Sequence, residues 1–340
     1  MPDLWDRPPG GGGRRVIDVH AHVFPRLERP AAGSGLPDLW LRIDDADRGM
    51  MMRGDEDYRP VEATLWEPDR RVTDLDRLGV ERQVVCVPPL LFAYDLPADT
   101  GSRWAAHVND LVLEYTRSRP DRLIALCQVP LQDTASACAE LDRAVAEGHK
   151  GVQIGTHIGD RSLSDPAILA FLDHCAARGV AVLVHPWDMP RNPRAAPHMM
   201  QWLVGMPAET HLAILGLILD GGFDRLDPTL RVCFAHGGGA FAFLLGRAEN
   251  GWRRRDLVRS GSRNPPSAYL DRFMVDSAVF DERSLRLLVD VMGSGRVLLG
   301  SDHPFPLGEE TIGALVARSP LTDAERHDVL VAAPSAWLGL

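Results

Sequence analysis

From Val16 onward the chain alternates short apolar runs with longer stretches in which apolar residues recur every three or four positions. The short runs are VIDVHAHV (16–23), RQVVCVP (82–88), LIALCQVP (123–130), KGVQIGTH (150–157), AVLVHP (181–186), RVCFAHGGG (231–239), FMVDS (273–277) and VLLGSDHP (297–304). Such nearly unbroken apolar strands read as members of a parallel sheet covered on both faces. Between them the spacing predicts helices over 68–80, 101–119, 133–148, 165–179, 207–221 and 281–293. Eight strand–helix units in one α/β chain predict a (β/α)8 TIM barrel rather than an open doubly wound sheet. No GxGxxG follows the first strand, which counts against a dinucleotide-binding domain.

Two segments break the rhythm. Residues 24–67 are rich in Gly, Pro and Asp and fit no strand–helix unit; they read as an insertion after the first strand. Within it, GMMMRG suits either a short strand or a lid element. Residues 190–207 read as a second long loop, after the fifth strand, and long loops inside a compact domain are usually functional. Residues 1–13, with their GGGG run, read as a disordered tail, leaving 14–340 as one barrel domain.

Composition narrows the class. At 340 residues, 45% hydrophobic and 25% charged, the chain can bury a sizeable core. A net charge of −10 argues against binding nucleic acid or an anionic membrane, and means that an anionic substrate needs a local cationic pocket. Cys86, Cys127, Cys138, Cys175 and Cys233 are scattered and form no CxxC pair, so they read as reduced residues of a cytoplasmic protein. No transmembrane run or signal peptide is expected.

The chemistry lies where polar residues interrupt the apolar runs. His20 and His22 alternate on the first strand and so share a face. His185 ends the fifth strand, His236 the sixth and Asp302 the eighth. One such histidine alone is more often a core residue bonded to backbone. In a barrel, however, the C-terminal strand ends converge on one mouth, which brings all five together. Imidazoles with one carboxylate suit Zn²⁺, Fe²⁺, Co²⁺ or Mn²⁺. His20, His22, His185 and Asp302 as ligands leave room for a water, with His236 as the acid/base group beside it.

HxH on the first strand, His on the fifth and sixth and Asp on the eighth resemble the amidohydrolase superfamily. GVQIGTH, VHPWDM, WLVGMPAET, CFAHGGGAF and SDHPFPLGE narrow the resemblance to the α-amino-β-carboxymuconate-ε-semialdehyde decarboxylase family, from about residue 16 to the C-terminus. The tail and residues 26–55 match poorly. The resemblance implies metal ligands His20, His22, His185 and Asp302, and His236 as the catalytic histidine. It implies substrate-carboxylate arginines at Arg59 and Arg247, the latter reaching into the neighbouring subunit of a homodimer, and a pocket tryptophan at Trp187. Read alone, Arg59 is a solvated loop charge, Arg247 reads equally well as a surface helix residue, and Trp187 as a core aromatic or a pocket residue. Two-metal relatives bridge their ions with a lysine at the end of the fourth strand. Lys150, the one lysine, begins that strand, so one divalent metal per subunit is expected, zinc first, with no organic cofactor.

The activity implied is a non-oxidative decarboxylation of a small unsaturated or aromatic carboxylate. The metal acidifies a water, His236 takes its proton, hydroxide adds to the conjugated system, and the proton returns to the carbon that loses CO₂. Hydroxybenzoate-type decarboxylases share the barrel but usually begin with ExH. A hydrolase of a lactone or cyclic amide would use the same water on a carbonyl, although WDM and MPAET favour the decarboxylase branch. A barrel repurposed for binding alone would have no use for an intact metal set beside His236. One departure concerns the substrate: His303 stands where the family usually has Tyr. His157, ending the fourth strand, matches the family without a ligand role.

Overall fold

The computed structural model describes residues 16–189 and 192–340; the expected 1–13 tail lies outside them. Eight strands form one parallel sheet: β1 (Ile17–His22), β5 (Arg82–Cys86), β6 (Leu123–Cys127), β7 (Gly151–Gly155), β10 (Ala181–His185), β11 (Arg231–Phe234), β12 (Met274–Asp276) and β13 (Val297–Leu298). Each pairs with the next in this order. The ring closes beyond β13, where Val19 and His22 donate backbone bonds to Leu299 and His303 and His20 accepts from Asp302. This is the expected TIM barrel.

Helices return the chain between strands, among them Pro68–Leu78, Ala98–Arg117, Thr134–Glu147, Pro166–Ala177, Met206–Leu219, Phe241–Arg254 and Glu282–Met292. Asp133, Asp165 and Asp281 cap three of them, each accepting from an otherwise orphaned first-turn N–H. One apolar layer lies between strands and helices. A smaller one, including Ile17, Val84, Leu183, Cys233 and Leu298, fills the lower barrel and is plugged by Trp337 and Leu338 of the last helix, Ala333–Leu338.

The β1 register is not regular. Asp18 pairs with Gln83 and Ala21 with Val85, so Val19 and His20 together stand against Val84 alone. This bulge switches the face presented inward: Ile17 and Val19 fill the lower barrel, and above the bulge His20 and His22 point to the mouth.

The segment 24–67 contains a three-stranded antiparallel sheet, β2 (Leu39–Ile43), β3 (Arg48–Arg53) and β4 (Glu56–Glu62). The GMMMRG run is therefore a strand, with Met51 and Met52 buried. A short hairpin, β8 (His157–Ile158) and β9 (Arg161–Ser162), follows β7. The expected 190–207 loop is replaced, over its described part, by helical turns at Pro193–Ala195, Pro197–Met199 and Gln201–Gly205 that run into Met206–Leu219. Within the described residues, Pro197–Leu219 is the one stretch long and apolar enough to cross a membrane. It packs on the barrel through Ala213, Ile214, Leu217 and Ile218 and leaves Leu203, Val204 and Leu212 exposed.

Candidate metal centre and active site

Four segments of the chain converge at the barrel mouth. β1 supplies His20 and His22, and β10 supplies His185 as its last residue. Asp302 and His236 lie beyond the strand ends rather than on them. Asp302 is four residues past β13 and His236 two past β11. Both adopt left-handed backbone, φ +57° and +55°, a conformation that non-glycine residues keep only where the surroundings enforce it. Gly300 makes the convergence possible: a Cβ there would meet the Cβ atoms of Asp276 and His20 at 2.7 and 3.0 Å.

One ligand atom each from His20, His22, His185 and Asp302 lies within 4.8 Å of the others, and all four residues are buried. His20 Nε2 is 3.2 Å from His22 Nε2, which is 3.1 Å from Asp302 Oδ1. Atoms bound at ~2.0–2.1 Å to one tetrahedral ion stand about 3.3 Å apart, so these spacings fit a shared ion. The outward ring nitrogens are already committed. His20 Nδ1 donates to Asp276 Oδ2 (2.6 Å) and His185 Nδ1 to the Pro186 carbonyl (2.8 Å), turning both Nε2 atoms to the centre. His185 Nε2 is buried with no hydrogen-bond partner, a cost that a metal ion would remove.

Electrostatics agree with this donor set. Burial would raise the Asp302 carboxyl, but bonds from His22 and His236 hold it well below the usual carboxylate range. Burial, reinforced by His236 and the other imidazoles, pushes His185 well below its ordinary value, so it is a neutral donor. Burial likewise lowers His22. At His20 burial is outweighed by Asp276, and its pKa is raised. Asp276 is the site residue that the sequence reading passed over.

Above the ring opens a cavity of ≈ 1610 Å³ whose walls include His22, His185, His236, Asp302, Arg59 and Trp187. His236 Nε2 is 3.7 Å from Asp302 Oδ2, outside the four-atom group but beside it. Arg59, on β4, makes no ion pair among the described residues; its guanidinium lies 5.3 Å over the Phe305 ring. Trp187 donates Nε1 to the His157 carbonyl (2.7 Å) and stands edge-on to Tyr94. Gly155 leaves it room, since a Cβ there would come within 2.5 Å of the indole. Arg247 is exposed on Phe241–Arg254 and does not line the cavity of its own chain. His303 is also absent from the cavity wall: it turns toward Arg71, 3.4 Å away. Burial lowers its pKa to about 3. His157 donates Nδ1 to the Gly159 carbonyl and supports Trp187.

A (β/α)8 barrel whose mouth gathers three imidazoles and a carboxylate defines a metal-dependent enzyme of amidohydrolase type. The amidohydrolase family model matches residues 17–340, and the chain belongs to that family, in the group of its 2-amino-3-carboxymuconate-6-semialdehyde decarboxylases. The decarboxylase of that name from Dictyostelium discoideum is 38% identical over 88% of this chain and 84% of the relative. The one from Caenorhabditis elegans is 31% identical over 93% and 92%. Among solved structures, the dihydroxybenzoic acid decarboxylase of Polaromonas sp. JS666, with bound manganese and the inhibitor 2-nitroresorcinol, superposes with a TM-score of 0.76 at 18% identity, covering 96% of this chain and 97% of that one.

Proposed function

We propose that the protein is a metal-dependent, non-oxidative decarboxylase of 2-amino-3-carboxymuconate-6-semialdehyde or a closely related unsaturated carboxylate. The observation that carries this reading is the closed set His20, His22, His185 and Asp302 with His236 beside it and an unpaired Arg59 on the cavity wall. His20, His22, His185 and Asp302 would hold one divalent ion, zinc first, with iron, cobalt and manganese suited to the same donors. Such an ion, when bound, acidifies a water toward neutral pH and stabilises developing negative charge.

The chain's own residues do the rest. His236, 12% exposed at its side chain, takes a proton at Nε2 and returns it to the carbon that loses CO₂. Arg59 grips a substrate carboxylate through a two-pronged contact and sets the scissile carboxylate toward the ligand ring. Trp187 packs against the substrate plane. Arg247 completes the pocket of a second copy in a homodimer. Phe243, one turn before Arg247 and 78% exposed, shares its helix face, and the bare Leu203, Val204 and Leu212 add apolar surface for that copy to cover. The five cysteines are free, four of them buried, which supports a reducing, cytoplasmic setting. Residues 14–340 act as one catalytic unit, with 24–67 as its inserted sheet.

A second reading is decarboxylation of a hydroxybenzoate, favoured by the likeness to the dihydroxybenzoic acid decarboxylase fold. The experiment offers zinc-loaded protein freshly generated 2-amino-3-carboxymuconate-6-semialdehyde and, in parallel, 2,6-dihydroxybenzoate, and records CO₂. Release from the semialdehyde that is lost on chelation and restored by metal supports the first reading. Release from the aromatic acid alone replaces it with the second.

A further inference from the structure

Next to the ligand ring, and not among the residues that line the cavity, lies an arginine that none of these roles uses. Arg71, on the helix Pro68–Leu78, is completely buried and meets no carboxylate among the described residues. A charge taken out of water without a counter-charge is expensive, and it persists where its hydrogen bonds are complete. Here they are. Arg71 Nε donates to the Thr64 carbonyl (3.1 Å) and Tyr115 Oη (2.9 Å), Nη1 to Gln83 Oε1 (2.7 Å), and Nη2 to the carbonyl of His22 (2.5 Å).

Gln83 carries the connection onward. Its Nε2 donates to Asp18 Oδ2 (2.8 Å), and Asp18 accepts from the backbone N–H groups of His20 (3.2 Å) and Ser301 (3.0 Å) and from Ser301 Oγ (2.6 Å). Ser301 Oγ in turn accepts from the N–H of His303 (3.1 Å). Apart from Thr64, every backbone position that these bonds fix belongs to a ligand residue or flanks one: His20, His22, and both neighbours of Asp302.

We propose that Arg71 is a positioning residue of the metal centre. It holds β1 directly at His22, and through Gln83, Asp18 and Ser301 it holds the 301–303 turn at the separation where His22 and Asp302 share one ion. This rests on the metal reading of the site. A residue that only stabilised the fold would leave the geometry of a bound ion unchanged once the protein is folded; a positioning residue would not.

The test uses full-length protein with Co²⁺ as the probe. Affinity is measured against a competing chelator, and coordination by the visible absorption of the bound ion. Arg71→Met is expected to weaken Co²⁺ roughly tenfold to a hundredfold, to alter the absorption bands, and to lower kcat with little change in KM. Tyr115→Phe, which removes a bond on the far side of the guanidinium, should lower Tm and leave the bands and the Co²⁺ affinity as they are. Should Arg71→Met fail to fold, Gln83→Met cuts the relay more gently and is expected to shift both readouts the same way. Wild-type affinity and bands in a folded Arg71→Met protein, or in Gln83→Met where that variant decides, overturn the proposal. A wild-type protein that takes up no stoichiometric Co²⁺ overturns the metal reading instead.

Discussion

The floor of the cavity and its rim are held in place very differently. On the floor, His20, His22 and His185 are buried, two of their outward ring nitrogens are hydrogen-bonded to fixed oxygens, and Asp302 sits in an enforced backbone conformation. On the rim, Arg59 has an aromatic ring beneath it and no carboxylate beside it, and Arg247 and Phe243 stand in solvent. Chemistry that must place atoms to a fraction of an ångström needs the first arrangement. Recognition of a charged, flexible substrate can use the second, in which the ligand or a second chain supplies the missing contacts. One barrel can thus keep its reaction and change its substrate by altering the rim alone.

Mutations can break this contrast, the floor first. His236→Ala should lower kcat by roughly 10²–10⁴ while metal content stays at wild-type level; loss of metal would make His236 a ligand instead. Asp276→Asn removes the acceptor that orients His20 and should weaken metal binding about 10–100-fold, read by chelator competition, with KM nearly unchanged. On the rim the signature reverses. Arg59→Ala should raise KM about tenfold and leave metal binding intact, since a half-exposed guanidinium contributes less than a buried one. The sharpest test of the rim is the smallest effect: mixing Arg59→Ala and Arg247→Ala chains should restore part of the lost activity, because a hybrid dimer has one intact site. No recovery in confirmed hybrids would confine the pocket to one chain.

The floor was legible in sequence because histidines and an aspartate interrupt strongly apolar runs at equivalent places, and eight such runs limit the topology to a barrel. Asp276 carried the same mark, next to last in FMVDS, but a lone carboxylate acts here through His20 and has no ligand partner on its own strand. Arg71 carried none: DRRVTDLDRL reads as a solvated helix, and only the packing of Tyr115, Gln83 and His22 around it makes that side chain internal. The strand ends were overestimated for a physical reason. Past β11 and β13 the backbone leaves the regular ladder to turn His236 and Asp302 inward, although its residues remain apolar or small. The three-stranded insertion stayed ambiguous because its pairing is antiparallel and bulged at Met51–Met52, which blurs strict alternation.

The seam between the first and last barrel strands has a consequence for how the molecule comes into being. Asp18 and Ser301, 283 positions apart, meet in the same bonds that set the ligand residues. Such a contact is among the most non-local a chain of this size can make, and its closure entropy must be met before it stabilises anything. A growing chain emerging from the ribosome carries His20 and His22 early, and can carry His185 and His236, long before it can offer Asp302. Competence to capture the ion therefore arrives with ring closure, and metal uptake by nascent or truncated chains becomes a direct report on whether the barrel has shut.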